Sequence, residues 1–221
     1  MIYTLLYREV KLALRAGLSL MTSLVFILLF ITLFAIGVDG NMRALSSFGT
    51  TLIWCAYLFA ALLSAGRIFH TDYEDATLEQ ILLAGVSPYH IIISKALSFM
   101  IITLIPLLLA LIIAMIWLGL EQDMIIGLYT SLIIATPAIT AYVVLCSAFL
   151  MGAERSGFLI IILAMPFLIP ILIFALAGAQ SFASHGIFNV ELRALLGLDF
   201  IGIAIALPAS AHTLKTYLEA S

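Results

Sequence analysis

Long apolar runs separated by short polar breaks dominate this chain. A helix needs roughly 20 residues to cross a hydrocarbon layer about 30 Å thick with every backbone amide satisfied within the segment. On that ruler the pattern predicts six spans, over residues 17–38, 48–68, 96–120, 125–151, 157–179 and 194–212. The breaks between them are short except at 70–95 and, more modestly, at 180–193. The opening MIYTLLYREVKLALR has a different periodicity: Thr4, Arg8, Lys11 and Arg15 fall on one helical face, and Ile2, Leu5, Leu6, Val10 and Ala13 on another. Such a helix lies in a membrane interface, cations toward headgroups and aliphatic side chains toward acyl chains. The apolar run that follows is long and has no small-x-small cleavage pattern, so it reads as a retained anchor rather than a signal peptide.

Composition agrees with the pattern: 65% of the 221 residues are hydrophobic, 10% are charged, and the mean hydropathy is +1.27. This is an integral membrane protein. Its formal net charge of -3 and scattered cations offer no phosphate-tracking surface, which excludes nucleic-acid binding. Cytoplasmic loops retain Lys and Arg. With the N-terminus inside, Arg8, Lys11, Arg15, Arg67, Lys95, Arg155 and Lys215 are cytoplasmic and only Arg43 and Arg193 are outside. Both termini and the 70–95 break are therefore assigned to the cytoplasm.

That break, HTDYEDATLEQILLAGVSPYHIIISK, gathers His70, Asp72, Glu74, Asp75, Glu79, His90 and Lys95 in a chain otherwise poor in charge. Thr77-Leu-Glu-Gln80 has the form of a capping box and predicts a helix start. Leu78, Ile81 and Leu82 share one side of that helix, Glu79 lies on another, and Gly85 supplies a left-handed stop. Ser87 then suits an N-cap and Pro88 the first turn of a helix that continues through Lys95 into the third span. The expectation is a short amphipathic helix parallel to the membrane, tied to the spans on either side.

Acidic residues followed by T-L-E, a further hydrophobic pair, a Ser-Pro and a helix bearing Lys resemble the coupling region of six-span ABC exporter subunits of the ABC-2 type. Together with the amphipathic start, the Thr136-Pro137 pair in ATPAIT and MPFLIPILIFALAGA in the fifth span, the chain most resembles the haem exporter B family, the membrane subunit of the cytochrome c maturation transporter. It departs from the family pattern at Ala76, where Gly is usual, and at Ala177, near a usual Gly. The resemblance implies an all-α integral membrane fold in one domain. Its parts are an interfacial helix (1–16), spans one and two (17–69), the coupling region (70–95), spans three to six (96–212) and a cytoplasmic tail (213–221). It also implies a location in the bacterial inner membrane and a separate, CcmA-like ATPase partner, together with a second copy of this chain and further maturation proteins of CcmC-like and CcmD-like type. Leu78, Ile81 and Leu82 would fill a groove on the ATPase, while Asp72, Glu74, Asp75 and Glu79 would pair with its basic residues, with Thr77 and Gln80 capping the helix.

Little in the spans points to chemistry. The sequence lacks G-x-x-x-x-G-K, so ATP would be used by the partner and not by this chain. Ionisable residues read as absent from the middle of every predicted span, which argues against an ion-driven carrier. Pro106, Pro137, Pro166 and Pro170 read as kinks, and Pro166 with Pro170, four apart on one face, as a candidate hinge. Cys55 and Cys146 read as buried small hydrophobes. Glu154 with Arg155 and Glu121 with Asp123 read as inner and outer turns, and no nucleophile, base and orienting group assemble into a catalytic set. If haem is the cargo, His185 in QSFASHGIFNVELR is the candidate contact, with Arg43 and Arg193 as outer cations; no tryptophan-rich segment surrounds Trp54 or Trp117. The functions left open are a membrane subunit that exports haem or releases a haem-loaded chaperone, an exporter of lipid, glycan or drug, and a non-transporting anchor for an ATPase.

Overall fold

The computed structural model describes residues 2–15, 18–153 and 156–220, and every regular element in them is helical. The elements are α1 (Ile2–Arg15), α2 (Leu18–Gly37), α3 (Met42–Ala65), α4 (Arg67–Glu74), α5 (Thr77–Leu83), α6 (Pro88–Leu118), α7 (Gln122–Phe149), α8 (Ser156–Gln180), α9 (Phe182–His185), a 3-10 turn (Gly186–Phe188) and α10 (Val190–Ala220). Among the described residues, five helices are long and apolar enough to cross a membrane: Met42–Glu74, Pro88–Ala114, Gln122–Phe149, Ser156–Gln180 and Val190–Tyr217. Ser23–Gly37, within α2, is a shorter apolar helix. The expected Glu154–Arg155 turn lies outside the described residues.

Each long helix starts or stops where the sequence provides a reason. Asn41 caps α3, its side-chain oxygen accepting from the amides of Arg43 and Ala44, which satisfies two otherwise orphaned donors. Pro88 opens α6 in the first turn, where a missing N–H costs nothing. Asn189 precedes α10 and accepts from the Leu192 amide at 2.7 Å while its own side-chain amide donates to the Gly178 carbonyl at 2.9 Å, so one side chain fixes both ends of the α8–α10 connection. Residues 213–220, expected as a tail, continue α10 as helix.

α7 is the hub. Its buried positions, from Gly127 through Ala148, include alanines, serines and threonines that let α3, α8 and α10 approach closely. Two of the hydroxyls there are satisfied within the bundle: Thr136 donates to the Leu132 carbonyl and accepts from the Tyr57 hydroxyl at 3.1 Å, and Ser147 reaches the carbonyls of Val143 and Ala65, whereas the buried Thr140 hydroxyl has no partner among the described residues. Cys146 is buried here as expected, whereas Cys55 is only half-buried. α8 is the opposite case: Phe158, Ile162, Ile169 and Ile173 face outward, as do Pro166 and Pro170, and the helix runs unbroken past both prolines. An outward apolar face of this kind suits lipid or another membrane helix.

The expected capping box at Thr77 is not formed. Thr77 is the first helical residue, Ala76 occupies the cap position, and no side chain caps the helix. The cause is backbone geometry: Ala76 turns the chain from α4 into α5 at φ 51°, ψ 17°, in the left-handed region that glycine occupies freely and an alanine at a cost of about 1–2 kcal/mol. Gly85, by contrast, takes φ 79° as expected. Its amide donates to the Leu82 carbonyl and that of Val86 to the Ile81 carbonyl, closing α5 with a Schellman motif. Replacing Ala76 with Gly removes the left-handed strain but adds about 0.4–1 kcal/mol of freedom to the unfolded chain. Ala76→Gly should therefore stabilise the protein by roughly 0.5–1 kcal/mol, read as a higher melting temperature of the purified protein, whereas Gly85→Ala should lower it.

Candidate functional site

The 70–95 stretch folds back onto the bundle. α4 and α5 form a helical hairpin, and Leu78 and Leu82 are buried in one apolar cluster with Ile91 and Ile92 of α6, Val144 and Ala148 of α7, and Ala211 and Leu214 of α10. Burying each leucine contributes about 1.5–3 kcal/mol, so burial in this shared cluster fastens α5 to the end of the bundle. This corrects the expectation that Leu78, Ile81 and Leu82 present themselves to a partner: Leu78 is 1% exposed and Leu82 7%, and Ile81 packs half-buried against the same cluster. The apolar stripe of a seven-residue helix has room for one seat only, and the chain's own α6, α7 and α10 occupy it. The outward face instead carries Gln80 and Leu83, the latter 82% exposed, together with Glu74, Asp75 and Tyr89.

The charges sort in the same way. His70 and Glu74 form an exposed pair at 3.5 Å, with little energetic weight. Glu79, half-buried, accepts a hydrogen bond from the Tyr217 hydroxyl at 3.0 Å, which ties α5 to the end of α10, and the Tyr73 and Tyr217 rings sit 5.8 Å apart beside it. Asp72 departs from expectation. It is buried on the inner side of α4 and belongs to a closed ring of four charges. Arg8 donates to Glu9 at 2.8 Å and to Asp72 at 2.7 Å; Lys95 donates to the other Asp72 oxygen and lies 3.3 Å from the other Glu9 oxygen. Each carboxylate thus uses one oxygen for each cation, and the ring is neutral. Lys95, 4% exposed, also donates to the Ile68 carbonyl at 2.8 Å and lies over the Phe69 ring.

The ring joins α1, α4 and α6, so Arg8 turns inward rather than toward headgroups as expected. Burial works against the Arg8 charge, but hydrogen bonding and attraction from Asp72, with Glu9 adding, more than offset it and hold its pKa above the ordinary value. The residues that face outward on α1 include Tyr3, Thr4, Tyr7 and Leu12, with Lys11 over the Tyr7 ring at 5.4 Å.

Two of these residues escaped sequence reasoning. Glu9 sits off the charged stripe of α1, and only the partner helices reveal its use. Asp199 corrects the statement that the spans lack internal charge: it lies nine residues past Val190, roughly 14 Å along α10, is 8% exposed, and accepts the Ala138 amide at 2.6 Å. Ala138 follows Pro137, where the helix backbone is already short of one N–H. An acid inside one apolar run and a proline inside another was the available signal.

His185 lies in α9, exposed and away from these groups, with Nδ1 2.7 Å from the Ser184 hydroxyl. Ser184 already donates to the Ser181 carbonyl at 3.0 Å, so it accepts from His185 Nδ1–H and leaves Nε2 as the free lone pair. Among the described residues, no three His, Cys, Asp or Glu side chains cluster as a metal site.

The CcmB protein family matches residues 1–217 of this chain. The chain belongs to the CcmB family. Relatives named Heme exporter protein B include one from Rhodobacter capsulatus, 32% identical with 97% of this chain and 99% of the relative covered. Another, from Haemophilus influenzae, is 30% identical with 96% of each covered, and one from Escherichia coli K12 is 28% identical, again with 96% of each.

Two outcomes follow for this CcmB-family chain. Lys95→Met leaves Asp72 and Glu9 with a single cation between them and should destabilise the protein by about 3–5 kcal/mol. The pair Asp72→Leu/Lys95→Met, which leaves Arg8 and Glu9 matched, should recover most of that loss in the same thermal melts. Asp199→Ala, which strands a buried amide, should cost about 1–3 kcal/mol, while Asp199→Asn keeps an acceptor oxygen and should stay near the parent in unfolding measurements.

Proposed function

We propose that this chain is the membrane subunit of an ATP-driven complex of cytochrome c maturation, in which a separate ATPase drives haem export or the release of a haem-loaded chaperone. Membership of a family whose relatives are named haem exporters supports the cargo. The lack of a G-x-x-x-x-G-K segment supports the division of labour, with this chain non-catalytic. In this reading α2, with 20 residues, is the first of six spans. α1 lies in the inner interface, where Tyr3 and Tyr7 suit the headgroup level, and both termini are cytoplasmic. Two copies form the membrane half, the outward apolar face of α8 meeting lipid or the second copy, with Pro166 and Pro170 as its hinge. His185, through Nε2, is the outer residue offered to haem.

The observation that carries the proposal is the seat of α5. A helix locked by Leu78 and Leu82 onto α6, α7 and α10 moves those spans when it is pushed. The coupling residues divide accordingly. Glu74, Asp75, Gln80 and Leu83 meet the ATPase, whereas Thr77, Leu78, Glu79, Ile81 and Leu82 fasten the pushed helix to its spans and Asp72 fastens α4 to α1. An apolar residue ringed by charge supplies both grip and register.

Co-expression with a CcmA-like ATPase separates the two groups. Leu83→Arg should cut ATPase co-purification and cytochrome c yield about tenfold or more, as expected for a central anchor worth about 2 kcal/mol, and leave the melting temperature unchanged. Leu78→Ala should lower stability by about 2–5 kcal/mol. Unchanged ATPase recovery and cytochrome yield with Leu83→Arg and with Glu74→Lys/Asp75→Lys would refute the proposal.

A further inference from the structure

Beside the charge ring, α1, α3, α4 and α6 enclose a cavity of about 330 Å³, open on one side. Its lining is amphiphilic. Leu12, Phe99 and Ile102 form an apolar part, and Arg67, Thr71 and Ser98 form a polar rim next to Asp72 and Lys95. The ring cannot itself recruit a ligand, because both oxygens of Asp72 and of Glu9 are already matched to cations. Two groups on the rim remain unmatched. Arg67 forms no ion pair among the described residues, and Ser98, 4% exposed, has no hydrogen-bond partner among them. Arg67 also borders a larger cavity of about 590 Å³ on its other side, but there His70 and Glu74 pair with each other.

An unpaired guanidinium, a buried hydroxyl turned to the same space and an apolar wall leading away from them fit one class of ligand: a phosphate diester carrying acyl chains. The arginine fork matches phosphate oxygens, a geometry that a lone ammonium does not reproduce. We propose that this cavity binds the headgroup of an anionic phospholipid, with Arg67 on the phosphate, Ser98 donating to it, and the first carbons of an acyl chain along Leu12, Phe99 and Ile102. A net negative headgroup is preferred over a zwitterionic one, because the ring leaves no free carboxylate for a headgroup amine. The site rests on the interfacial placement of α1 proposed above, since only there do headgroups reach Leu12. Such a lipid would be bound between α1 and the α3–α4 junction.

The test uses the full chain, purified in detergent and stripped of lipid, then offered phosphatidylglycerol, phosphatidylcholine or inorganic phosphate. Native mass spectrometry and thermal melts are read together. Phosphatidylglycerol should stay bound and raise the melting temperature more than phosphatidylcholine, with no effect of inorganic phosphate. Arg67→Gln should weaken that retention about tenfold, the weight of one charge-assisted contact, and Ser98→Val should weaken it less. Since Arg67 is exposed and unpaired, Arg67→Gln should fold normally. Equal retention of the two lipids, or undiminished retention by Arg67→Gln, would overturn the proposal. Protection by inorganic phosphate alone would replace it with a phosphate-ion site. Co-purification of the ATPase with Arg67→Gln keeps the outcomes distinct: an intact complex without lipid preference defeats this site and spares the transport reading.

Discussion

Four charges in a neutral ring hold together the parts of this protein that the apolar effect cannot. Between membrane helices lipid is as good a neighbour as leucine, so burial of apolar surface does little to choose one helix partner over another. Arg8, Glu9, Asp72 and Lys95 supply that choice at the polar end of the bundle, because each side chain is satisfied only if α1, α4 and α6 are all in place. Buried ion pairs are weak evidence for stability as such, since desolvation consumes most of the attraction. Their contribution here is register: an α4 turned by one residue would carry Asp72 off the ring and leave Lys95 buried with half its counter-charge.

α10 carries the same logic through the bundle. At its start Asn189 grips the end of α8; within the apolar stretch Asp199 takes the amide beside Pro137 of α7; near its other end Tyr217 meets Glu79 of α5. Three polar contacts at three depths make α10 a strut. Where no water can replace it, as at the buried Asp199, such a contact is costly to break, and the three together fix how α10 slides or rotates. Under the proposed coupling, a push on α5 would therefore reach the Pro137 region of α7 through α10, and not only α6, into which the chain runs directly.

Much of this architecture was legible in the sequence, and the limits have physical causes. The apolar runs locate the five long helices, most closely where the predicted 157–179 and the observed Ser156–Gln180 differ by a single residue at each end, whereas the first predicted span, 17–38, meets only the shorter apolar helix Ser23–Gly37. Gly85 and Pro88 acted as read because their effects are local to the backbone. The misreadings concern facing and helix ends. In an amphipathic helix as short as α5, sequence shows that Leu78 and Leu82 share a face but not whether that face meets a partner or the chain's own core. Thr77 fits a capping box, yet Ala76 in a left-handed turn moves the helix start by one residue. Asp199 looked close to the end of a span because the apolar run was measured from Ala194, whereas the helix begins at Val190.

The inward seat of Leu78 and Leu82 changes what a coupling element has to be. A helix that gave its apolar face to a partner would grip that partner but hang loosely from its own spans, and force would be lost in the hinge between them. A helix that gives its apolar face to its own spans transmits force well but must be gripped by what is left, which on α4 and α5 is mostly polar, with Arg67, His70, Glu74 and Gln80 among it, and only Tyr73 and Leu83 as large exposed apolar groups. Such a surface suits a contact that forms, bears load and releases within each cycle, because polar and charged contacts set register and association rate more than residence time. On the proposed function, permanent adhesion lies within this chain and exchangeable adhesion would be left for the ATPase.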